Sequence, residues 1–312
     1  MAYWDYCIRT LKSSQALALL WVVDSSGSSP GKAGAKMAIA LDGTRFGTIG
    51  GGQIEHQLAE QALALLAQDN CPRLFKMQHH GGSGQVCGGT QTVLFYSCAL
   101  DDLATLQAIQ HACIHKQAMQ LSMTPQGLTL NKVLAHSALM QFSDLQESGW
   151  NYQEIIGMAY SAYIIGGGHV SLALSQVLAL LDFEITVIDQ RQEVATMQAN
   201  TFADQKIIAS YTDIARHVNE GLQSYVFIMT HSHLTDQQVL AELFSKQLAY
   251  IGVLGSQRKI AVIRTQLTEI ISPEYWQTIH APIGLDIESQ TPMEIAMSIG
   301  AEVIRVRNAK KE

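Results

Sequence analysis

The apolar positions of this chain change period along its length. "ALALLWVV" (Ala16–Val23) is an unbroken apolar run closed by "DSSGSSPG", which predicts a buried strand entering a loop. "KMAIALDG" (Lys36–Gly43) predicts a strand ending in an Asp-Gly turn, and "TRFGTIGG" (Thr44–Gly51) predicts its hairpin partner. In "QIEHQLAEQALALLAQ" the apolar residues Ile54, Leu58, Ala62 and Leu65 recur at helical spacing. "TQTVLFYS" (Thr90–Ser97) alternates and is rich in β-formers. From Leu100 to about Met158, short strand-like and helix-like pieces surround the turn "TPQGLT"; this stretch reads as the end of a first domain plus a connection.

From Tyr160 the pattern becomes regular. "AYIIGGG", "EITVID", "SYVFIMTHSH" and "AYIGVLGS" read as strands, and "HVSLALSQVLALL" and "RKIAVIRTQL" as helices between or after them. Such alternation predicts βαβ units and a parallel sheet. Thr291, Pro292 and Glu294 form the signature of a capped helix start, after which Ile295, Ile299 and Val303 share one face. The expectation is an α/β chain with domains at 1–158 and 159–312, the second Rossmann-like.

Length supports two domains, because 312 residues exceed the roughly 250–300 at which single cores stop growing. Apolar residues make up 47% and charged residues 15%, which excludes a disordered chain. A net charge of −7 argues against nucleic-acid or anionic-membrane partners. No apolar run reaches the length of a membrane span. Although Arg9 and Lys12 precede Ala16–Val23 as in a signal segment, no small-residue cleavage pattern follows. The five cysteines (Cys7, Cys71, Cys87, Cys98, Cys113) are irregularly spaced without a CxxC pair, so neither a disulfide framework nor a zinc ribbon is expected, and a cytoplasmic setting fits.

The candidate chemistry sits in glycine-rich and strand-end segments. In "GGGHVS", Gly166 and Gly168 match the first two glycines of a dinucleotide fingerprint, Ser171 takes the third place, and His169 crowds the turn. Asp189 stands where a ribose-binding acid is expected, and Arg191 either favours a 2′-phosphate or pairs with that acid. Such a turn suits NAD(P) or another nucleotide, or serves as a Rossmann turn with no ligand. "THSHLTD" brings His231 and His233 to a strand end. We read it as a site wall without a metal, with Thr230 and Asp236 capping the next helix. Ser256 and Lys259 of "GSQRK" suit an anion or simply begin a helix. "PIGLDI" reads as an ordered loop.

In the first half, Gly50, Gly51 and Gly52 precede a helix with Glu55 in its first turn, an arrangement suited to an anion. Glu55 reads as a general base, as a partner for a ligand amide, or as an acid complementing the helix dipole. Cys87 lies in "GGSGQVCGG" near His79 and His80, and reads equally as a reactive thiol or a buried filler.

Taken in order, "SSGSSPGKAGAKM", "GTIGGGQIE", "GQVCGG", "YIIGGGHVS…VIDQR", "THSHLTD", "YIGVLGSQRK" and "PIGLDI…TPMEIAMSIGAE" resemble the XdhC/CoxI family over nearly the whole chain. The resemblance implies an XdhC/CoxI α/β domain followed by a Rossmann-like domain. It implies an accessory chaperone, rather than a turnover enzyme, for molybdenum hydroxylases such as xanthine dehydrogenase. Such a protein binds the molybdenum cofactor (molybdopterin), supports its sulfuration, and passes it to the apo hydroxylase. A sulfur donor such as a cysteine desulfurase and a second copy of the chain are further implied partners. Cys87, Gly88 and Gly89 match the family's Cys-Gly-Gly, and Gly50, Gly51, Gly52 and Glu55 its glycine–glutamate motif. Gln53 and Val86 stand where some relatives have cysteine, so thiol chemistry here falls to Cys87 alone. The rival reading is an NAD(P)-dependent oxidoreductase using Gly166–Ser171.

Overall fold

The computed structural model describes residues 2–13, 15–68, 74–80, 89–134, 138–144 and 149–309. The chain divides into two units, Met1–Met158 and Ala159–Glu312.

Unit 1 opens with α1 (Ala2–Lys12) and strands β1 (Leu17–Ser26), β2 (Lys36–Ala40) and β3 (Arg45–Gly47). Helix α2 (Gly52–Leu66) follows, then β4 (Leu74–His80) and β5 (Thr90–Cys98). These five strands form an antiparallel sheet in the order β3-β2-β1-β5-β4. The expected hairpin is present: β2 pairs with β3, and the Asp42 carboxylate closes the turn by accepting from the amide of Thr44 at 2.9 Å.

The apolar run of β1 is buried from Leu17 to Val23 because both faces of its sheet are covered. Ala18, Leu20 and Val22 pack with Ile54, Leu58 and Ala62 of α2. Leu17, Leu19, Trp21 and Val23 face the opposite way, into a core shared with α1. Alternate residues of a strand point to opposite faces, so one apolar run serves two cores.

The stretch after Leu100 is more than a connection. It contains α3 (Leu103–Ile114) and a second antiparallel sheet, ordered β7-β6-β9-β8, made of β6 (Met119–Thr124), β7 (Gly127–Lys132), β8 (Met140–Asp144) and β9 (Trp150–Ile156). Its strands are only partly buried and do not alternate cleanly, which is why periodicity missed them. Leu121, Met123 and Tyr152 nevertheless join the Trp21 core. Lys36 of β2 also pairs with Glu154 of β9 at 2.7 Å and lies 5.0 Å over the Trp21 ring.

Unit 2 alternates as expected. Its strands are β10 (Tyr160–Ile165), β11 (Phe183–Asp189), β12 (Gln205–Ile208), β13 (Gly221–Ile228) and β14 (Leu248–Val253). Its helices are α4 (His169–Leu180), α5 (Ala195–Gln198), α6 (His233–Leu243), α7 (Gln257–Gln266), α8 (Pro273–Trp276) and α9 (Pro292–Ala309). The sheet is parallel in the order β12-β11-β10-β13-β14. The order reverses between β10 and β13, which makes the carboxyl edge there the usual ligand position of a doubly wound fold. Ala162, Ile164, Tyr225 and Phe227 face α4 and α9, while Tyr163, Ile165, Val226 and Ile228 face α6 and α7.

Helix α9 starts as the sequence predicted. Thr291 Oγ1 accepts from the Glu294 amide at 3.3 Å, and Glu294 Oε2 accepts from the Thr291 amide at 2.9 Å. The helix carries a buried acid, Glu302, that anchors the ordered "PIGLDI" loop. Its Oε2 accepts from the Gly284 amide at 2.8 Å and from the Tyr250 hydroxyl at 2.7 Å. Its Oε1 lies 3.1 Å from His280 Nδ1.

Burial pushes the Glu302 carboxyl up, but His280, Tyr250 and the Gly284 amide outweigh it and bring the pKa from 4.5 down to about 2. A carboxyl depressed by folding contributes stability that is complete above 4.5 and is lost as the pH falls toward 2. Glu302→Gln should therefore melt lower at pH 7, by about 1–3 kcal/mol. It should also lose less stability than the parent between pH 4.5 and 3, as read by thermal unfolding across that range.

Candidate functional site

In unit 1, segments far apart in sequence meet backbone to backbone. A Cβ on Gly31 would lie 2.0 Å from the Ile49 carbonyl oxygen, and one on Gly50 would lie 2.5 Å from the Gly31 nitrogen. A Cβ on Gly89 would lie 2.2 Å from the Ser26 carbonyl oxygen. The glycines at 31, 50 and 89 therefore let residues 26–31, 49–52 and 89–91 close into one cradle. Gly50, Gly51 and Gly52 also hold φ of 130°, 73° and 71°, a run that side-chain-bearing residues resist.

Glu55 holds this corner from inside. Its Oε2 accepts from the Thr48 hydroxyl at 2.5 Å, the Ile49 amide at 2.8 Å and the Gly51 amide at 2.9 Å. Thr48 Oγ1 in turn accepts from the Gly50 amide at 3.2 Å. Partial burial raises the carboxyl's pKa, but these donors and the charge of Arg45 prevail and lower it. A carboxylate so stabilised is a weak base, so the geometry favours Glu55 as an acceptor that shapes the loop. The Gly50 and Gly51 amides are consumed internally. The outward donors are the Gly52 amide and the next amides of α2, which have no carbonyl within the helix and no side-chain cap from Gly51. Cys87 and Gly88 lie outside the described residues, as does the segment joining β4 to Gly89.

Unit 2 repeats the device. Gly166 has φ of 110°, and a Cβ there would lie 2.4 Å from the Met229 carbonyl oxygen of the neighbouring strand's end. Asp189 is fully buried: its Oδ2 accepts from the Gly167 amide at 2.8 Å, and its Oδ1 from the Arg191 amide at 2.9 Å. Arg191 closes a fork on the same carboxylate, with Nε 3.0 Å from Oδ1 and Nη2 2.7 Å from Oδ2. Burial raises the Asp189 pKa, but the guanidinium and amides dominate and hold it below the carboxylate range. The acid thus serves its own turn, and Arg191 serves the acid, leaving no idle oxygen for a ribose. Gly168 begins α4 without a side-chain cap, and His169 beside it is exposed.

The other strand-end residues lie along the same carboxyl edge. Ser232 caps α6 by accepting from the Thr235 amide at 3.2 Å, and Asp236 is buried, accepting from the Thr230 amide at 2.8 Å. The cap is therefore Ser232, not Thr230. His231 and His233 are exposed, and no group of three or more metal-binding side chains occurs among the described residues. Ser256 caps α7 through the Lys259 amide at 3.3 Å. Lys259 turns inward, pairing with Asp236 and donating to the Leu254 carbonyl at 2.9 Å. It therefore ties two strand-end loops together instead of standing free for an anion.

Sequence reasoning passed over Gln91, Thr48, His280 and Glu302. Gln91 is the recoverable one, an amide in the otherwise apolar and hydroxyl-bearing strand "TQTVLF".

These features define a Rossmann-type domain combined with a mixed α/β domain built on antiparallel sheets. Residues 162–303 match the model of the XdhC Rossmann domain, and residues 10–76 match the model of the XdhC and CoxI family. The chain belongs to the XdhC and CoxI family. It is 28% identical over 93% of its length to the uncharacterized protein YqeB of Escherichia coli (strain K12), but spans only 43% of that protein. It is 24% identical to a probable xanthine dehydrogenase subunit of Bacillus subtilis (strain 168), covering 95% of each chain. To the molybdenum cofactor insertion chaperone PaoD of Escherichia coli it is 22% identical, over 98% of this chain and 88% of the other. A crystal structure described as a xanthine dehydrogenase from Bacillus halodurans shares the fold with a TM-score of 0.66 and 23% identity, covering 100% of this chain and 97% of that one. No helix among the described residues is long and apolar enough to cross a membrane.

Two substitutions test the geometry. Gly31→Ala should destabilise by about 1–3 kcal/mol, because its methyl group would enter the Ile49 backbone. Asp189→Ala should cost about 2–3 kcal/mol by orphaning the Gly167 amide and the Arg191 fork. Denaturant unfolding checks both, and near-zero losses would contradict the assigned contacts.

Proposed function

We propose that this chain is an accessory chaperone that binds the molybdenum cofactor as cargo, supports its sulfuration, and delivers it to a molybdenum hydroxylase such as xanthine dehydrogenase. The observation that carries the reading is the unit 1 cradle. Gly31, Gly50 and Gly89, from three family motif segments, converge there, and α2 begins beside them at Gly51 with no side-chain cap on its first amides. A cargo with a phosphate, a polar pterin and a dithiolene matches those features. Helix N-terminal amides suit the phosphate, and side-chain-free glycine backbone permits close approach of a flat ring. The names of the Bacillus subtilis and PaoD relatives support the same client class.

Each residue then has a role. Glu55 holds the corner and, through its remaining oxygen, can accept from pterin N–H groups. Gly52 and the first turn of α2 receive the phosphate. Gly89, the last residue of the Cys-Gly-Gly motif, closes against the cradle, and Cys87 of that motif is assigned as the thiol for binding molybdenum or relaying sulfur from a donor such as a cysteine desulfurase. When bound, the cargo supplies the oxo-transfer centre that the client needs; the chaperone shields and hands it on. A cytoplasmic location and a homodimer accompany this reading.

NAD(P) or another nucleotide is the rival ligand, on the α4 amides of unit 2. Against ribose recognition stands Asp189, whose oxygens are already engaged by Gly167 and Arg191. The test is molybdenum cofactor released from a purified hydroxylase and offered to the purified chain. Near-stoichiometric molybdenum retention, weakened about tenfold or more by Cys87→Ser, is expected. Saturable NAD(P)H binding with turnover that Cys87→Ser leaves intact, and no molybdenum retention, would overturn the reading.

A further inference from the structure

We infer that Gln91 is a positioning residue of the unit 1 cradle, the counterpart of Glu55 on the opposite side of Ile49. The inference deepens the cargo-binding reading and rests on it for the identity of the ligand. Gln91 lies two residues after Gly89, opposite Ser25 of β1, and is 2% exposed. A buried amide is costly unless it is bonded. Its Nε2 donates to the Ile49 carbonyl at 2.7 Å. The bond passes a position that only glycine leaves open, since a Cβ on Gly31 would lie 2.6 Å from that nitrogen.

Ile49 is thereby held at both ends. Its carbonyl is bound by Gln91, its amide by Glu55 at 2.8 Å, and its side chain is buried in the α2 core. The next three residues are glycines with positive φ and little stiffness of their own. The direction of the outward α2 amides is set by where Ile49 is fixed. Releasing its carbonyl frees the corner, so ordering it again on binding opposes affinity. Gln91 does not touch the cargo; it acts through Ile49.

Gln91→Met keeps the length and apolar bulk and removes the donor. Molybdenum cofactor released from a purified hydroxylase should bind Gln91→Met and Glu55→Gln about tenfold more weakly than the parent. The double variant should be about as weak as either single one, because both act on the same segment. Without cofactor, hydrogen exchange across residues 48–54 should accelerate in Gln91→Met by more than the loss of global stability measured on the same variant accounts for. Gln91→Glu supplies a second arm: exchange faster than the parent's at neutral pH, approaching the parent's at the same pH as acid protonates the carboxyl and restores a donor to Ile49. Unchanged exchange in both variants, parent-like binding by Gln91→Met, or losses that multiply in the double variant would overturn the inference. A parent protein that binds no cofactor would instead sink the cargo reading, and the exchange measurements would still decide the role of Gln91.

Discussion

A carboxylate that accepts backbone amides of a glycine turn is the interaction on which both halves of this protein depend. Glycine lets the chain take positive φ and approach other backbone closely, yet it supplies nothing to hold that shape. Glu55 and Asp189 supply it. Each carboxylate gathers amides from the turn before a helix, and each stays ionised because those donors outweigh its burial. The two acids come from different places, Glu55 from within the helix that follows and Asp189 from the end of the neighbouring strand. The physics is shared although the topology is not.

The clamp decides which amides remain for a ligand. The amides that a glycine motif advertises in sequence, at Gly50, Gly51 and Gly167, are spent internally. Those left outward belong to the first turns of α2 and α4, which begin at uncapped glycines. Helices α6, α7 and α8 begin at serines that satisfy their own first amides, and α9 begins at Thr291. The contrast separates helix starts closed by their own side chains from starts kept open; α3 and α5 also begin uncapped, at Asp102 and Val194, but only α2 and α4 do so at glycine triplets.

Much of this was legible in sequence because it follows from period and punctuation. The strand–helix alternation after Tyr160, the Asp-Gly hairpin and the Thr291 cap rest on local rules, and local rules survive folding. The second sheet of unit 1 was not legible. Its strands are half-buried, so no clean alternation marks them. Site residues were legible as types and less so as roles. Asp189, Arg191 and Lys259 carry the right charges for a ligand, but their partners come from elsewhere in the fold and turn them inward. Glu302 looked like one more acid on a terminal helix, since nothing local announces that Tyr250, His280 and Gly284 converge on it.

The same logic bears on the cysteines. Burial pushes the Cys7 thiol up to about 12 and raises Cys113 as well, while Cys98 is buried in the Trp21 core. A nucleophile or soft metal ligand has to be a thiolate, and a packed apolar core opposes that charge. Cys7 and Cys113 are therefore poor candidates for handling sulfur, and Cys98 has no open face to offer. Of the remaining pair, Cys71 and Cys87, only Cys87 falls in a family motif, two residues before a glycine pressed against the cradle backbone. Packing sets aside Cys7, Cys98 and Cys113, and the motif alone then selects Cys87 over Cys71 for the proposed thiol role.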